Sequence, residues 1–215
     1  MADRPILNLF NRVLFAVLVA ITIAGFFLVP LDRDLPVHWD ISGVPDAFAP
    51  AAFTLLMPFA LVVFIVAGMA ILRPAGLRQD FEAGRHVIHA TISLMLVLAM
   101  VIAGSTIAVG LGQIVDMPRL IAFVVGAMAL VIGNYTPKMQ QNWVAGIRLP
   151  WTLRDPHNWR VTHRWGGRLM MIAGLVIVIA AIINPPSEVL FMIITASLML
   201  ASATAVVISY ALARR

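Results

Sequence analysis

Six times along the chain an apolar run of about 20 residues passes with no Asp, Glu, Lys, Arg or His well inside it. About that many apolar residues is what an α-helix needs to cross the hydrocarbon of a bilayer. The runs fall near Val13 to Leu31, Ala51 to Leu72, Val87 to Val109, Pro118 to Asn134, Trp165 to Ile183 and Val189 to Leu212. With 61% hydrophobic and 12% charged residues, the chain has too little polar surface to cover such a mass in water. In lipid the backbone must satisfy its own hydrogen bonds, which helices do. The expected fold class is therefore all-α, a polytopic membrane protein with six transmembrane helices. The first run lacks the short core and small-residue cleavage site of a signal peptide, so it is expected to be retained.

Charge sets the orientation. With the N-terminus inside, thirteen Lys/Arg lie in the inner segments (Arg4, Arg12, Arg73, Arg78, Arg85, Lys138, Arg148, Arg154, Arg160, Arg164, Arg168, Arg214, Arg215), against Arg33 and Arg119 outside. That asymmetry predicts cytoplasmic termini. The basic residues sit at the ends of apolar helices, so lipid headgroups account for the pI near 11 and no nucleic-acid partner is expected. Pumps and ion-coupled transporters need ionisable groups at depth, and their absence argues against that class. No cysteine is present, which removes disulfides and thiolate chemistry.

Recognition or chemistry must then reside in two polar stretches. The inner one, Asn142 to Arg168, reads NWVAGIRLPWTLRDPHNWRVTHRWGGR. Asp155-Pro156 is a helix start, an acceptor at the cap followed by proline at the first position. On that helix Arg160, Arg164 and Arg168 recur every fourth residue, a cationic stripe suited to lipid phosphate or, alternatively, to an acidic cytoplasmic partner, while Trp159, Thr162, His163 and Gly166 share another face. Upstream, Pro150 biases Leu149 toward an extended conformation, so Gly146 to Leu153 is expected to be an ordered loop pinned by Trp151. Arg148, between Gly146 and Pro150, can either pin the loop or clamp a carboxylate or phosphate.

The outer stretch, residues 32–50, carries four Asp and one Arg. Val37, Trp39 and Ile41 alternate with polar neighbours before Ser42-Gly43, predicting a short extended segment closed by a turn. His38, Asp40 and Asp46 form a candidate cluster there, although turn-capping is the ordinary role of such aspartates. His86 and His89, with His163, are an alternative metal or enzymatic site, but no metal-binding motif supports them and neither metal nor cofactor is expected. Small residues at Ala122, Gly126 and Gly133, and at Ser197, Ala201, Ala205 and Ser209, predict close helix packing.

Gly133-Asn134, Pro137-Lys138, Asn142, Gly146-Ile147-Arg148, Pro150-Trp151-Thr152-Leu153, Trp159 and Thr162-His163 resemble, in order and spacing, the signature of the SdpI-type (toxin-immunity) membrane proteins. Leu149 departs from it, standing where the family usually has threonine. The N-terminal part resembles the small domain of unknown function that commonly precedes that signature, through Leu35-Pro36, His38, Gly43, Pro45-Asp46 and Pro58.

The resemblance implies a multi-pass bacterial inner-membrane protein that is not an enzyme and protects its host against a secreted antimicrobial peptide. Where a partner regulator exists, it also implies tethering of that cytoplasmic regulator. The expected organisation is an N-terminal two-helix unit, residues 1–72, with the outer loop at 32–50, followed by a four-helix unit, residues 73–215, with the signature loop at 135–168. The expected binding residues are Asn134, Asn142, Gly146, Arg148, Pro150, Trp151, Thr152, Trp159, Thr162 and His163 inside, and Pro36, His38, Asp40, Gly43, Pro45 and Asp46 outside. The alternative is a membrane-embedded enzyme or metal protein using His163 with His86 or His89, and a transporter ranks below it.

Overall fold

A computed structural model describes residues 6–72 and 78–214. Arg4, Arg73 and Arg215 of the charge count lie outside the described residues. Among the described residues there are seven α-helices: α1 (Leu9–Leu28), α2 (Ala51–Leu72), α3 (Arg78–Gly110), α4 (Met117–Tyr135), the short α5 (Pro150–Arg154), α6 (Pro156–Ile183) and α7 (Ser187–Ala213). All but α5 are long and apolar enough to cross a membrane, and at most a third of each apolar window is buried inside the protein. The remainder, including Phe27, Phe64, Ile183 and Leu200 at more than 70% exposure, is apolar surface of the kind a bilayer covers. This is an all-α multi-pass membrane protein, with one small strand pair added.

Three boundaries differ from expectation. α1 starts at Leu9, where the Asn8 side chain accepts from the Asn11 N–H; α3 starts at Arg78, well before the apolar run does. Hydropathy marks the lipid-facing part of a helix, whereas Asp80 in the first turn of α3 favours continuing the helix into the polar connector. Within the expected loop, Pro150–Arg154 is helical. Leu149 is extended, with φ −98° and ψ 154°, as a residue before proline should be, but the same proline starts the turn that follows.

Two compact units can be distinguished, one from Met1–Ile71 with Ile92–Pro118, the other from Leu72–Thr91 with Arg119–Arg215. In the first, Val29, Leu35, Ala51 and Leu55 form a buried cluster lined by Phe26 and Ile107, and Asn11 donates to Ser93 Oγ at 2.7 Å. The outer stretch is an antiparallel hairpin, β1 (Asp34–Trp39) with β2 (Pro45–Pro50), irregular around Val37. A lone hairpin is marginal in water; this one is tethered by buried Leu35 and by Pro50 leading directly into α2.

In the second unit Ala122, Ile177, Ala180, Ala181 and Leu190 form the core between α4, α6 and α7. Glycines set the approach of α4 to α6. A Cβ on Gly133 would lie 2.7 Å from the Gly167 carbonyl oxygen, and one on Gly174 would lie 2.6 Å from that of Gly126. The expected small row on α4 is thus met by a glycine row on α6 with the same spacing of seven. On α7, Ala201, Ala205 and Ser209 are buried, with Ser197 only half-buried.

Candidate functional site

The segment between α4 and α6 is folded by its side chains onto its own backbone. Asn142, 2% exposed, accepts from the N–H groups of Val144 and Ala145 at 2.9 and 2.7 Å and donates to the Gln140 carbonyl. An Asn side chain standing in for backbone in this way makes a tight turn without further secondary structure. Asp80 of α3 accepts from the Trp143 N–H at 2.8 Å, and Arg148 Nη1 reaches back to the Trp143 carbonyl at 2.7 Å. Gly146 follows with φ +104°, a conformation other residues resist, and a Cβ there would run into His163 Nε2.

His163 closes the loop. Its Nε2 accepts from the Ile147 N–H at 3.0 Å, and its Nδ1, facing the Trp159 carbonyl at 2.8 Å, must therefore carry the proton. The ring is the neutral Nδ1–H tautomer, stacked on Trp159 with centroids 3.9 Å apart. Trp159, almost wholly buried, donates to the Met139 carbonyl at 3.1 Å. Thr152, fully buried, accepts from the Leu149 N–H and donates to the Ile147 carbonyl at 2.7 Å. The hydroxyl that Leu149 lacks is not required for this turn, because Thr152 supplies the capping oxygen.

A second set of bonds fastens the segment to α7. Trp151 Nε1 donates to Ser209 Oγ at 3.0 Å, and Asn158 Nδ2 donates to the Ser209 carbonyl at 2.8 Å. Thr162 then donates to Asn158 Oδ1 at 2.9 Å. As the periodicity predicted, Arg160, Arg164 and Arg168 are exposed while Trp159, Thr162, His163 and Gly166 are buried.

Of the inner candidates, Asn142, Gly146, Arg148, Trp151, Thr152, Trp159, Thr162 and His163 come together in this latch. Pro150 contributes by starting α5, and Asn134 is exposed on the last turn of α4. Sequence reasoning missed Asn158, Asp80 and Gln141, whose Nε2 donates to the Thr152 carbonyl at 2.9 Å. Asn158 precedes Thr162 by one helical turn on the buried face, a signal that could have found it.

The latch offers little to a reaction. Both ring nitrogens of His163 are committed to backbone groups, so it has no lone pair for a metal or a substrate proton. Among the described residues no three His, Asp or Glu side chains gather as a metal site would require; His86 is exposed and His89 half-buried on α3.

In the outer hairpin Asp40 Oδ1 accepts from the Ser42 hydroxyl and from the N–H groups of Ser42 and Val44, all within 2.9 Å, and Gly43 takes φ +85°. The Ser42 hydroxyl first, then the Val44 N–H, hold the Asp40 carboxyl below its ordinary 3.8. A lowered carboxyl stabilises the fold above the ordinary value and loses that contribution as pH falls through the lowered one. The amide resonances of Ser42 and Val44 in detergent should therefore move in an acid step whose midpoint lies below the ordinary 3.8. In Asp40→Ala that acid step should be absent. His38 Nδ1 lies 2.6 Å from Asp46 Oδ1, while Pro36 and Pro45 occupy the strands themselves.

Residues 138–211 match the SdpI/YfhL protein family, so the SdpI-type resemblance holds over the latch, α6 and most of α7. Across 175 residues the chain is 22% identical to the protein named Immunity protein SdpI of Bacillus subtilis (strain 168), covering 81% of this chain and 82% of that relative. No solved structure matches at a significant level.

Proposed function

We propose that this multi-pass membrane protein of SdpI type protects its host against a secreted, cationic, membrane-active peptide, without catalysis. The observation that carries the reading is the extent of the match to a protein named for immunity, over four-fifths of both chains. The charge of the outer hairpin supports it. Its one arginine, Arg33, donates to the Gly110 carbonyl at the end of α3, and Asp40 is engaged in its own turn. Asp32 and Asp34 remain exposed, and among the described residues neither has a partner. Together with Asp46 they would draw in a cationic peptide at low ionic strength. On the other side, which the charge asymmetry makes cytoplasmic, exposed Trp143 and Arg148 are where a regulator would be tethered.

The test is survival of a deletion strain challenged with a panel of cationic membrane-active peptides. Wild-type protein should restore resistance to at least one of them. Asp32→Asn combined with Asp34→Asn and Asp46→Asn, at equal membrane abundance, should lose roughly tenfold of the protection at low salt and less at high salt. A deletion strain sensitive to none of the peptides would overturn immunity; full protection by the triple variant would overturn the electrostatic part.

A further inference from the structure

We infer that Arg160, Arg164, Arg168 and Trp165 on α6 form a binding site for the phosphate of an anionic phospholipid, at the membrane boundary where the latch is fastened. The inference begins with the depth of these residues. Within the second unit three aromatic rings each carry a cation: Lys138 Nζ lies 4.7 Å from the centre of Tyr135, Arg168 Cζ 5.2 Å from Trp165, and Arg214 Cζ 4.6 Å from Tyr210. From these rings to the opposite end of each helix, α4, α6 and α7 run about 27, 27 and 35 Å at 1.5 Å per residue. Those lengths bracket a hydrocarbon core of about 30 Å. Tyr135 and Trp165, level with each other through the Gly133–Gly167 approach, therefore mark one boundary, where amphipathic rings settle between hydrocarbon and headgroups. Tyr210, next to the Ser209 that Asn158 binds, stands farther out on the headgroup side.

The apolar run of α6 alone, Leu169 to Ile183, is only about 21 Å long by the same rise and could not span the core. The membrane must reach as far as Trp165. Arg164 and Arg160 then stand about 1.5 and 7.5 Å beyond the ring, among the headgroups, and Arg168 about 4.5 Å inside it. Helix side chains lean toward the N-terminus, which for α6 is toward this same boundary, so Arg168 can bring its charge out along Trp165. The cation–aromatic contact records that path.

All three arginines and Trp165 are exposed. Among the described residues no carboxylate pairs with Arg160, Arg164 or Arg168, so the stripe's charge is not neutralised within the protein. Guanidinium groups one helical turn apart, about 6 Å, suit phosphate oxygens through paired N–H donors. The opposite face of the same turns carries Asn158, Trp159, Thr162 and His163, so a lipid held there would brace the helix that fastens the latch.

The full chain in nanodiscs of phosphatidylcholine with one quarter phosphatidylglycerol, released and examined by native mass spectrometry, tests this. Wild-type protein should retain phosphatidylglycerol well above its share of the bilayer, in a ratio to phosphatidylcholine about tenfold higher than the bilayer's. Joint replacement by glutamine at Arg160, Arg164 and Arg168 should reduce retention to that share, with helicity unchanged by circular dichroism. The corresponding lysine variant should retain an intermediate amount, and Arg154→Gln should retain the wild-type amount. Should the triple glutamine variant misfold, Arg164→Gln alone should still lower retention severalfold. No enrichment in wild type, equal retention in the glutamine variants, or displacement of the lipid by millimolar inorganic phosphate would overturn the site.

Discussion

Replacing Gly167 with valine should nearly abolish the folded protein in membranes. A Cβ at that position would meet the Gly133 carbonyl oxygen at 2.5 Å and the Pro137 ring at 2.8 Å. Neither can swing aside as the end of a flexible side chain could, because one is helix backbone and the other a ring closed on it. Relief requires α4 and α6 to separate, and separation also breaks the partner contact between Gly126 and Gly174 one heptad away. Overpacking a core ordinarily costs about 1–3 kcal/mol. Here a backbone displacement is added, so several kcal/mol are expected against a total stability of about 5–15 kcal/mol. Gly133→Val should behave alike, since its Cβ would meet the Gly167 carbonyl oxygen at 2.7 Å and the Met171 main-chain nitrogen at 2.9 Å. Gly68→Ala and Gly104→Ala serve as controls, because nothing lies within 4 Å of a Cβ at either position. Membrane abundance and the detergent melting midpoint should fall sharply in the first pair only. Normal abundance of Gly167→Val would mean that α4 and α6 do not approach this closely.

Much of this architecture could be read in advance, and the exceptions have physical causes. Six spans follow from hydropathy alone, and the first strand and the turn of the hairpin were signalled by alternation at Val37 and Trp39 before Ser42-Gly43, whereas the second strand, Pro45–Pro50, was not. The division of α6 into an arginine face and a buried face follows from helical periodicity. The start of α3 was missed because charge hides a helix from a hydropathy reading. The helix at Pro150–Arg154 was missed because one proline both ends and begins regular structure. Small residues on α4 showed that some helix comes close, but not that it is α6, since a glycine reports permitted distance and not the identity of its neighbour. The partners of His163 were least legible. They are the Ile147 N–H and the Trp159 carbonyl, backbone groups that every sequence contains, so residue types could not distinguish a latch from a metal ligand or a base.

That ambiguity is resolved by His163→Phe, which should keep an aromatic ring stacked on Trp159 while deleting both hydrogen bonds. The Ile147 N–H would be left without its acceptor beside a side chain 1% exposed, and the Trp159 carbonyl would lose its second donor. A buried polar group stranded in this way costs about 1–3 kcal/mol, so the latch should weaken by roughly 2–4 kcal/mol. At about 1.4 kcal/mol per tenfold, its open population would rise by tens- to several hundred-fold. Trypsin should report the opening, because the Arg148–Leu149 bond becomes a substrate when the segment unfolds locally and Arg148 leaves the Trp143 carbonyl. Thr152→Val should act in the same direction, removing the hydroxyl that bridges Leu149 and Ile147. The spans themselves should survive, because the contacts of α6 with α4 along the glycine row do not pass through the imidazole. If His163 acted instead as a metal ligand or general base, His163→Phe would abolish activity while cleavage at Arg148 stayed at the wild-type rate. Accelerated cleavage with retained helicity is the result expected of a latch, and in the survival assay it should bring a partial loss of resistance that tracks the degree of opening.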